Sequence, residues 1–154
     1  MKTLVVYDSM YGNTKIVAET IAAALSGDVS VQHVEGADAS SVGAYDLLIV
    51  GAPIHGARPS EKTRDFLDRI PASALHGMHV AAFDTRVTNK FILLFGTAAT
   101  KIAQTLRRKG GTLAADPAGF FVTGTEGPLK EGEVERAAHW AKQIVAGVKA
   151  RAAV

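Results

Sequence analysis

The chain of 154 residues contains no cysteine. Disulfide bonds, thiol catalysis and cysteine metal sites are therefore excluded, and any redox chemistry has to come from a bound cofactor. Long apolar runs are also missing, since Leu4–Tyr7 is too short for the core of a signal peptide and Phe91–Phe95 cannot span a bilayer. These absences predict a soluble, cytoplasmic protein without a membrane span.

A strong charge of either sign is missing as well. The formal net charge is +2, which is too weak to predict nucleic-acid binding. Hydrophobic residues make up 47% and charged residues 21% of the chain, as is typical of a globular protein. The five histidines show no ligand spacing typical of a metal site, and the G-x-S-x-G motif of serine hydrolases is absent. We therefore predict neither a metal site nor a nucleic-acid partner.

No repeat, linker or low-complexity block interrupts the chain, so we predict a single domain over residues 1–154. Runs of residues typical of strands alternate with stretches at helical spacing, which favours an α/β fold with a parallel sheet and helices on both faces. The predicted strands are Leu4–Tyr7, Val29–Val34, Asp46–Gly51, His79–Phe83 and Thr112–Thr123, the last interrupted at Asp116-Pro117. In such a fold, ligands bind at the carboxyl ends of the strands.

The segment between the first strand and the first helix has the composition of an anion-binding loop. Its sequence, Asp8–Thr14, presents backbone N–H groups and hydroxyl groups at a helix N-terminus, which suits a phosphate. Ser9 and Thr14 supply hydroxyl groups, while Gly12 allows close approach of the backbone and Asn13 tolerates unusual backbone angles. The segment is neither a Walker A loop nor a G-x-G-x-x-G dinucleotide motif. The alternative is a plain strand-to-helix turn.

The pattern Ser9-x-Tyr11-Gly12-x-Thr14 resembles the [ST]-x-[TY]-G-x-T phosphate loop of flavodoxins. The resemblance implies a flavodoxin-like fold, with five parallel strands in the order 2-1-3-4-5, and FMN as cofactor. It further implies that hydroxyl groups and amides wrap the 5′-phosphate of FMN without a Lys or Arg. The residues implied to bind it are Ser9, Met10, Tyr11, Gly12, Asn13 and Thr14.

The same resemblance assigns roles to the loops after the third and fourth strands. The first of these loops would cover one face of the isoalloxazine ring, with Gly56 as the backbone group that reorients with the flavin's redox state. The second would reach the pyrimidine end or the ribityl chain. The residues implied are Pro53, Ile54, His55, Gly56 and Ala57 in the first loop and Asp84, Thr85 and Arg86 in the second. The alternatives are an exposed loop histidine for His55 and a polar strand-end turn for Asp84.

The loop Val122–Leu129 is glycine-rich too, but it follows the outermost strand, so we predict a structural role for it. Substrate access or a contact with a partner is the alternative there.

Three features depart from the flavodoxin pattern. The aromatic pair that stacks on the flavin has no counterpart, since the only tryptophan, Trp140, lies in the last helix, and this predicts weaker FMN binding. Positive residues near the ring would raise the potential of the flavin; they are His55, Arg58, Arg86 and Lys90. The loop after the third strand also lacks the G-N-M-S-G-Q type of sequence of related quinone reductases. Its G-A-P-I-H-G has some likeness to menaquinone-linked protoporphyrinogen dehydrogenases, over too short a stretch to assign a substrate.

These observations predict an FMN-binding, flavodoxin-type electron-transfer protein. Its partner would be a redox protein or a small quinone-like acceptor. The alternatives are an FMN-dependent NAD(P)H/quinone-type oxidoreductase and a binding module with a weak or empty flavin site. A response-regulator receiver is excluded, because the third strand ends in Gly51 rather than a phosphorylatable Asp, and only Asp8 follows the first strand.

Overall fold

The computed structural model describes residues 1–88 and 97–152. In that part of the chain, strands and helices alternate as the sequence predicts. The strands are β1 (Lys2–Tyr7), β2 (Asp28–His33), β3 (Leu47–His55), β4 (Arg58–Pro59), β5 (His79–Val87), β6 (Thr112–Leu113) and β7 (Ala118–Val122). The helices are α1 (Asn13–Ala24), α2 (Glu61–Arg69), α3 (Ala98–Arg108) and α4 (Glu133–Ala152), and a 3₁₀ helix spans Ala39–Ala44.

The central sheet is parallel, and its strands run in the order β2-β1-β3-β5-β6. The predicted fifth strand consists of two pieces, β6 and β7, which both pair with β5. The gap between them includes Pro117, which has no N–H group for the ladder. With β5 as the fourth strand, the predicted order 2-1-3-4-5 is confirmed.

Two of the predicted strand ends are wrong. We predicted that the third strand ends at Gly51 and the fourth at Phe83, but β3 continues to His55 and β5 to Val87. The two strands extend together, because their parallel pairing continues to Pro53 opposite Thr85. β3 then folds back on β4 as a short antiparallel hairpin. The site residues predicted for two loops therefore lie mostly on strand ends, which hold them more firmly than loops would.

The core fills both faces of the sheet. Helices α1 and α4 cover one face and α2 and α3 the other. Both faces need cover, because successive residues of the buried part of β3, Leu47–Ala52, point to alternate faces and are all apolar. On the α1/α4 face, Trp140 packs edge-on against Phe83 and Phe120 at centroid distances of 6.0 Å. Its indole is 5% exposed, so Trp140 belongs to the core and is not a stacking partner for a ligand.

Across residues 1–88 and 97–152, none of the helices combines the length and the apolar character that crossing a bilayer requires.

The Thr3 hydroxyl is the one buried side-chain polar atom within the described residues that has no hydrogen-bond partner. We expect Thr3→Val to raise the free energy of unfolding by about 1 kcal/mol, because the isosteric side chain removes an unpaired polar group from the core. Thr63→Val is the matched control. Its hydroxyl is also buried but lies 2.8 Å from the Ser60 hydroxyl, so that this variant should be destabilised. Urea denaturation of both variants tests the prediction, which a loss of stability in Thr3→Val would contradict.

Candidate functional site

A cleft opens where β1, β3, β5 and β7 end, at the carboxyl edge of the sheet. It brings together side chains from all three predicted site segments, as parallel strands require. Of the predicted site residues, those that line it are Ser9, Met10, Tyr11, Asn13, Thr14, Pro53, Ile54, His55, Thr85 and Arg86. Gly12, Gly56 and Asp84 do not line the cleft but adjoin residues that do, and Ala57 lies one residue further away in the same turn as Gly56. Val87, Val122 and Thr125 line it without having been predicted.

The loop from Ser9 to Thr14 curls at the N-terminus of α1. Gly12 has a left-handed φ of 93°, and its amide donates to the Ser9 hydroxyl at 3.0 Å. A Cβ at this position would meet nothing within 4 Å, so the backbone angle alone accounts for the glycine. Within the described part of the chain, the amides of Met10, Tyr11, Asn13 and Thr14 donate to no other residue. The loop thus presents free N–H groups at the positive end of a helix dipole.

Thr14 connects this loop to the neighbouring strand. Its hydroxyl lies 2.7 Å from the hydroxyl of Thr85 on β5, and both residues are buried. The pair fixes the first helical turn of α1 against the floor of the cleft. Residue types alone did not indicate this contact, since it joins residues 71 positions apart.

Asp8 and His33 form a second support beneath the loop. The Asp8 carboxylate accepts the Ser9 amide at 2.9 Å and lies 3.3 Å from His33 Nε2. The Glu35 amide donates to His33 Nδ1 at 3.1 Å, so the geometry assigns the proton of the neutral ring to Nε2, facing Asp8. Asp8 therefore orients the loop from below. The sequence placed Asp8 in the predicted loop but gave no sign of this supporting role.

Asp84 is fully buried and paired with Arg86. The guanidinium Nε and Nη2 donate to its carboxylate at 2.6 and 3.0 Å, and the Ala99 amide donates at 2.9 Å. Burial raises the pKa of Asp84, an effect that the hydrogen bonds from Arg86 and Ala99 oppose. Asp84 thus holds Arg86 in place and does not itself reach the cleft.

Two of the four positive residues that the sequence predicts near the ring, Arg58 and Arg86, add no net charge to the cleft. Asp84 compensates the charge of Arg86, and Arg58 lines a separate groove between α2 and α3. Only His55, of the residues named for this effect, lines the cleft without a paired carboxylate among the described residues. Lys90 lies outside the described residues, as do Phe91 and Phe95. The expected rise in the potential of the flavin stays a prediction, which now depends on His55 and Lys90.

The hairpin of β3 and β4 forms one wall of the cleft. Its two turn residues, Gly56 and Ala57, both have left-handed φ angles, of 55° and 65°. Two consecutive residues of this kind make the tight turn that joins antiparallel strands with the correct twist. The wall facing the cleft consists of Pro53, Ile54 and His55.

The end of β7 and the loop after it supply a fourth wall, through Val122 and Thr125. The Asn13 side chain donates to the Glu126 carbonyl at 3.1 Å, which joins this loop to the first one. Gly127 packs so closely on Asn13 that a Cβ would lie 2.5 Å from its amide atoms. The sequence predicts a structural role for the loop Val122–Leu129, because this loop follows the outermost strand. Because β7 pairs directly with β5, the loop instead lies beside the cleft.

Within residues 1–88 and 97–152, no group of three or more His, Asp or Glu side chains is placed to hold a metal ion.

The sequence matches the flavodoxin domain family over residues 4–93, more than half of the chain. The protein therefore belongs to this family. No curated protein matches the chain in a sequence comparison.

Solved structures confirm the fold. Oxidised flavodoxin 2 from Bacillus cereus is 28% identical, with a TM-score of 0.81 over 95% of this chain and 99% of that chain. A flavodoxin from the domain Archaea is 24% identical, with a TM-score of 0.80 over 97% of this chain and 99% of that chain. Rubredoxin oxygen:oxidoreductase from Desulfovibrio gigas is 21% identical, with a TM-score of 0.76. That similarity covers 99% of this chain but only 37% of that chain.

Proposed function

We propose that this protein binds FMN in the cleft and acts as a flavodoxin-type electron carrier. The observation that carries the proposal is the Ser9–Thr14 loop at the N-terminus of α1, which combines four amides that donate to no other described residue with the hydroxyls of Ser9 and Thr14. Membership of the flavodoxin domain family supports it. The redox partner would be a protein or a small quinone-like acceptor.

The chemistry of the loop fits a dianionic phosphate. None of the residues from Ser9 to Thr14 is charged, so the site would bind through amides and hydroxyls at the positive end of a helix. Each hydrogen bond to a charged group contributes about 1.5–3 kcal/mol, and several together are enough to hold a phosphate without a salt bridge. The Asn13 side chain is engaged with Glu126, which leaves its backbone amide for the ligand.

The other walls suit the rest of FMN. Pro53, Ile54 and His55 would flank the isoalloxazine ring, with the Gly56–Ala57 turn beyond them. Thr85 and Arg86 would face the far edge of the ligand, while Asp84 orients Arg86. The bound flavin would supply the electron transfer, and these residues would bind it, orient it and limit its contact with water.

A comparison of FMN with riboflavin tests the proposal. We expect apoprotein to bind FMN at least about 100-fold more tightly than riboflavin, a difference of about 2.7 kcal/mol, because only FMN carries the phosphate. Quenching of flavin fluorescence measures both affinities. Gly12→Ala should reduce FMN binding much more than riboflavin binding, because it strains the left-handed loop residue without a steric clash.

Equal affinities for the two flavins would refute the phosphate role of the loop. Steady consumption of NAD(P)H with a quinone, in the absence of a partner protein, would instead assign the site to the oxidoreductase alternative.

A further inference from the structure

The first turn of α3 contacts two walls of the cleft, the β5 wall and the hairpin wall. On one side, the Ala99 amide donates to Asp84 on β5, at 2.9 Å. On the other side, the Lys101 ammonium donates to the Ala57 carbonyl in the hairpin turn, at 2.6 Å. Neither Ala99 nor Lys101 lines the cleft. One rigid helix end is therefore bonded both to the strand that holds Arg86 and to the hairpin that carries His55.

The hairpin needs such a restraint. Its ladder has only two residue pairs, Ile54–Pro59 and His55–Arg58, and Pro59 has no N–H group to donate. A hairpin with so few pairs is not stable by itself in water. In addition, Ala57 has a left-handed φ of 65°, which residues with a side chain disfavour. The hydrogen bond from Lys101 ends on the carbonyl of this disfavoured residue.

We propose that Lys101 is a positioning residue for the cofactor cleft, which holds the hairpin wall at a fixed distance from the β5 wall through the Ala57 carbonyl. This inference rests on the proposed function, because its ligand is the flavin. The ammonium acts on the wall that flanks the ring and has no contact with the Ser9–Thr14 loop. Loss of the Lys101 ammonium should therefore weaken the binding of FMN and of riboflavin equally.

The physical effect is preorganisation. Without Lys101 the hairpin would populate arrangements in which its wall is displaced, and the apparent affinity falls in proportion to the fraction of molecules that are competent to bind. We expect Lys101→Met to weaken FMN binding about 10-fold. Lys101→Arg, which keeps a charged donor of similar reach, should restore most of the affinity.

Lys109, which directly follows the last residue of α3, offers a matched control. Its ammonium also donates to a backbone carbonyl, that of Ile70 at 2.5 Å, and it is half-buried like Lys101. Lys109 lies at the other end of α3, away from the cleft. Lys109→Met should therefore lower the thermal midpoint of apoprotein by the same few degrees as Lys101→Met, yet leave flavin affinity unchanged. A purely structural role for Lys101 would not separate the two variants.

The experiment measures the dissociation constant and dissociation rate of FMN and of riboflavin for wild type, Lys101→Met, Lys101→Arg and Lys109→Met. A loss of affinity confined to Lys101→Met, equal for both flavins and rescued by arginine, supports the proposal. Wild-type affinity in Lys101→Met, or an equal loss in Lys109→Met, overturns it while leaving FMN binding intact. A wild-type protein that binds neither flavin would refute the proposed function itself, which is a distinguishable result.

Discussion

Asp84→Asn is expected to lower the free energy of unfolding by about 3 kcal/mol, the lower end of the range for breaking a buried ion pair. The Asp84 side chain is fully buried and that of Arg86 is 11% exposed, so the substitution leaves a guanidinium without its counter-charge in the protein. The asparagine oxygen still accepts the Ala99 amide, which isolates the effect of the charge. Urea denaturation of apoprotein at neutral pH measures the loss.

Substitutions at Arg86 show whether the cost comes from the unpaired charge. Adding Arg86→Met to Asp84→Asn removes both charges and should recover most of the stability. Arg86→Met alone leaves a buried carboxylate whose pKa burial raises above its usual value. When the pKa of a group is higher in the folded than in the unfolded protein, the group stabilises the fold at pH values below its pKa in the unfolded protein. That contribution is lost as the pH rises through its pKa in the folded protein. Arg86→Met should therefore become more stable, relative to wild type, as the solution is acidified.

A loss below about 1 kcal/mol in Asp84→Asn, the size seen for exposed ion pairs, would contradict the buried pair. If the free energy of unfolding of Arg86→Met differed from that of wild type by the same amount at every pH, the result would contradict the effect of burial on the pKa of Asp84.

Gly51→Ala is expected to lower the free energy of unfolding by about 3 kcal/mol, because it overpacks the centre of the sheet. A Cβ on Gly51 would lie 2.0 Å from Cζ of Phe83, a ring that is fully buried. The ring has no room to retreat, since Phe120 and Trp140 pack against it. Near-ultraviolet circular dichroism and Trp140 fluorescence report the disturbed packing, and urea denaturation gives the free energy.

Gly36→Ala is the control for the loss of a glycine as such, because its Cβ would meet its nearest neighbour at an ordinary 3.7 Å. This variant should be close to wild type. Combining Gly51→Ala with Phe83→Leu should cost less than the sum of the two single substitutions, since the smaller side chain leaves space for the new methyl group. If the two losses of stability were simply additive, the Gly51–Phe83 contact would not be the cause of the destabilisation in Gly51→Ala.

The first loop was the most predictable part of the site. Ser9, Gly12 and Thr14 lie within six residues of one another, so their chemistry forms a recognisable motif. The loop lies at the N-terminus of α1, as that motif implies. The later segments were less predictable. A polar stretch such as Asp84–Arg86 has the composition of a loop, and it continues as a strand because β3 pairs with it as far as Thr85 and β7 pairs with it along its whole length.

Sequence spacing also could not show which polar groups neutralise one another. Asp84 and Arg86 both seemed available to a ligand, but adjacent positions on one side of a strand bring their side chains into contact. The fourth wall was missed for a related reason. Thr125 and Glu126 follow the outermost strand in chain order, and the contact of Glu126 with Asn13 depends on β7 pairing with β5 beyond the end of β6.

The sequence by itself determined the alternation of strands and helices, the order of the sheet and the family, because these depend on apolar periodicity and on one contiguous motif. The tertiary structure alone decided which side chains face the cleft and which only support it. The contacts of Thr14 with Thr85, Asn13 with Glu126 and Lys101 with Ala57 each join residues at least 44 positions apart. Such contacts arise from the packing of elements against one another, and no local pattern of residues encodes them.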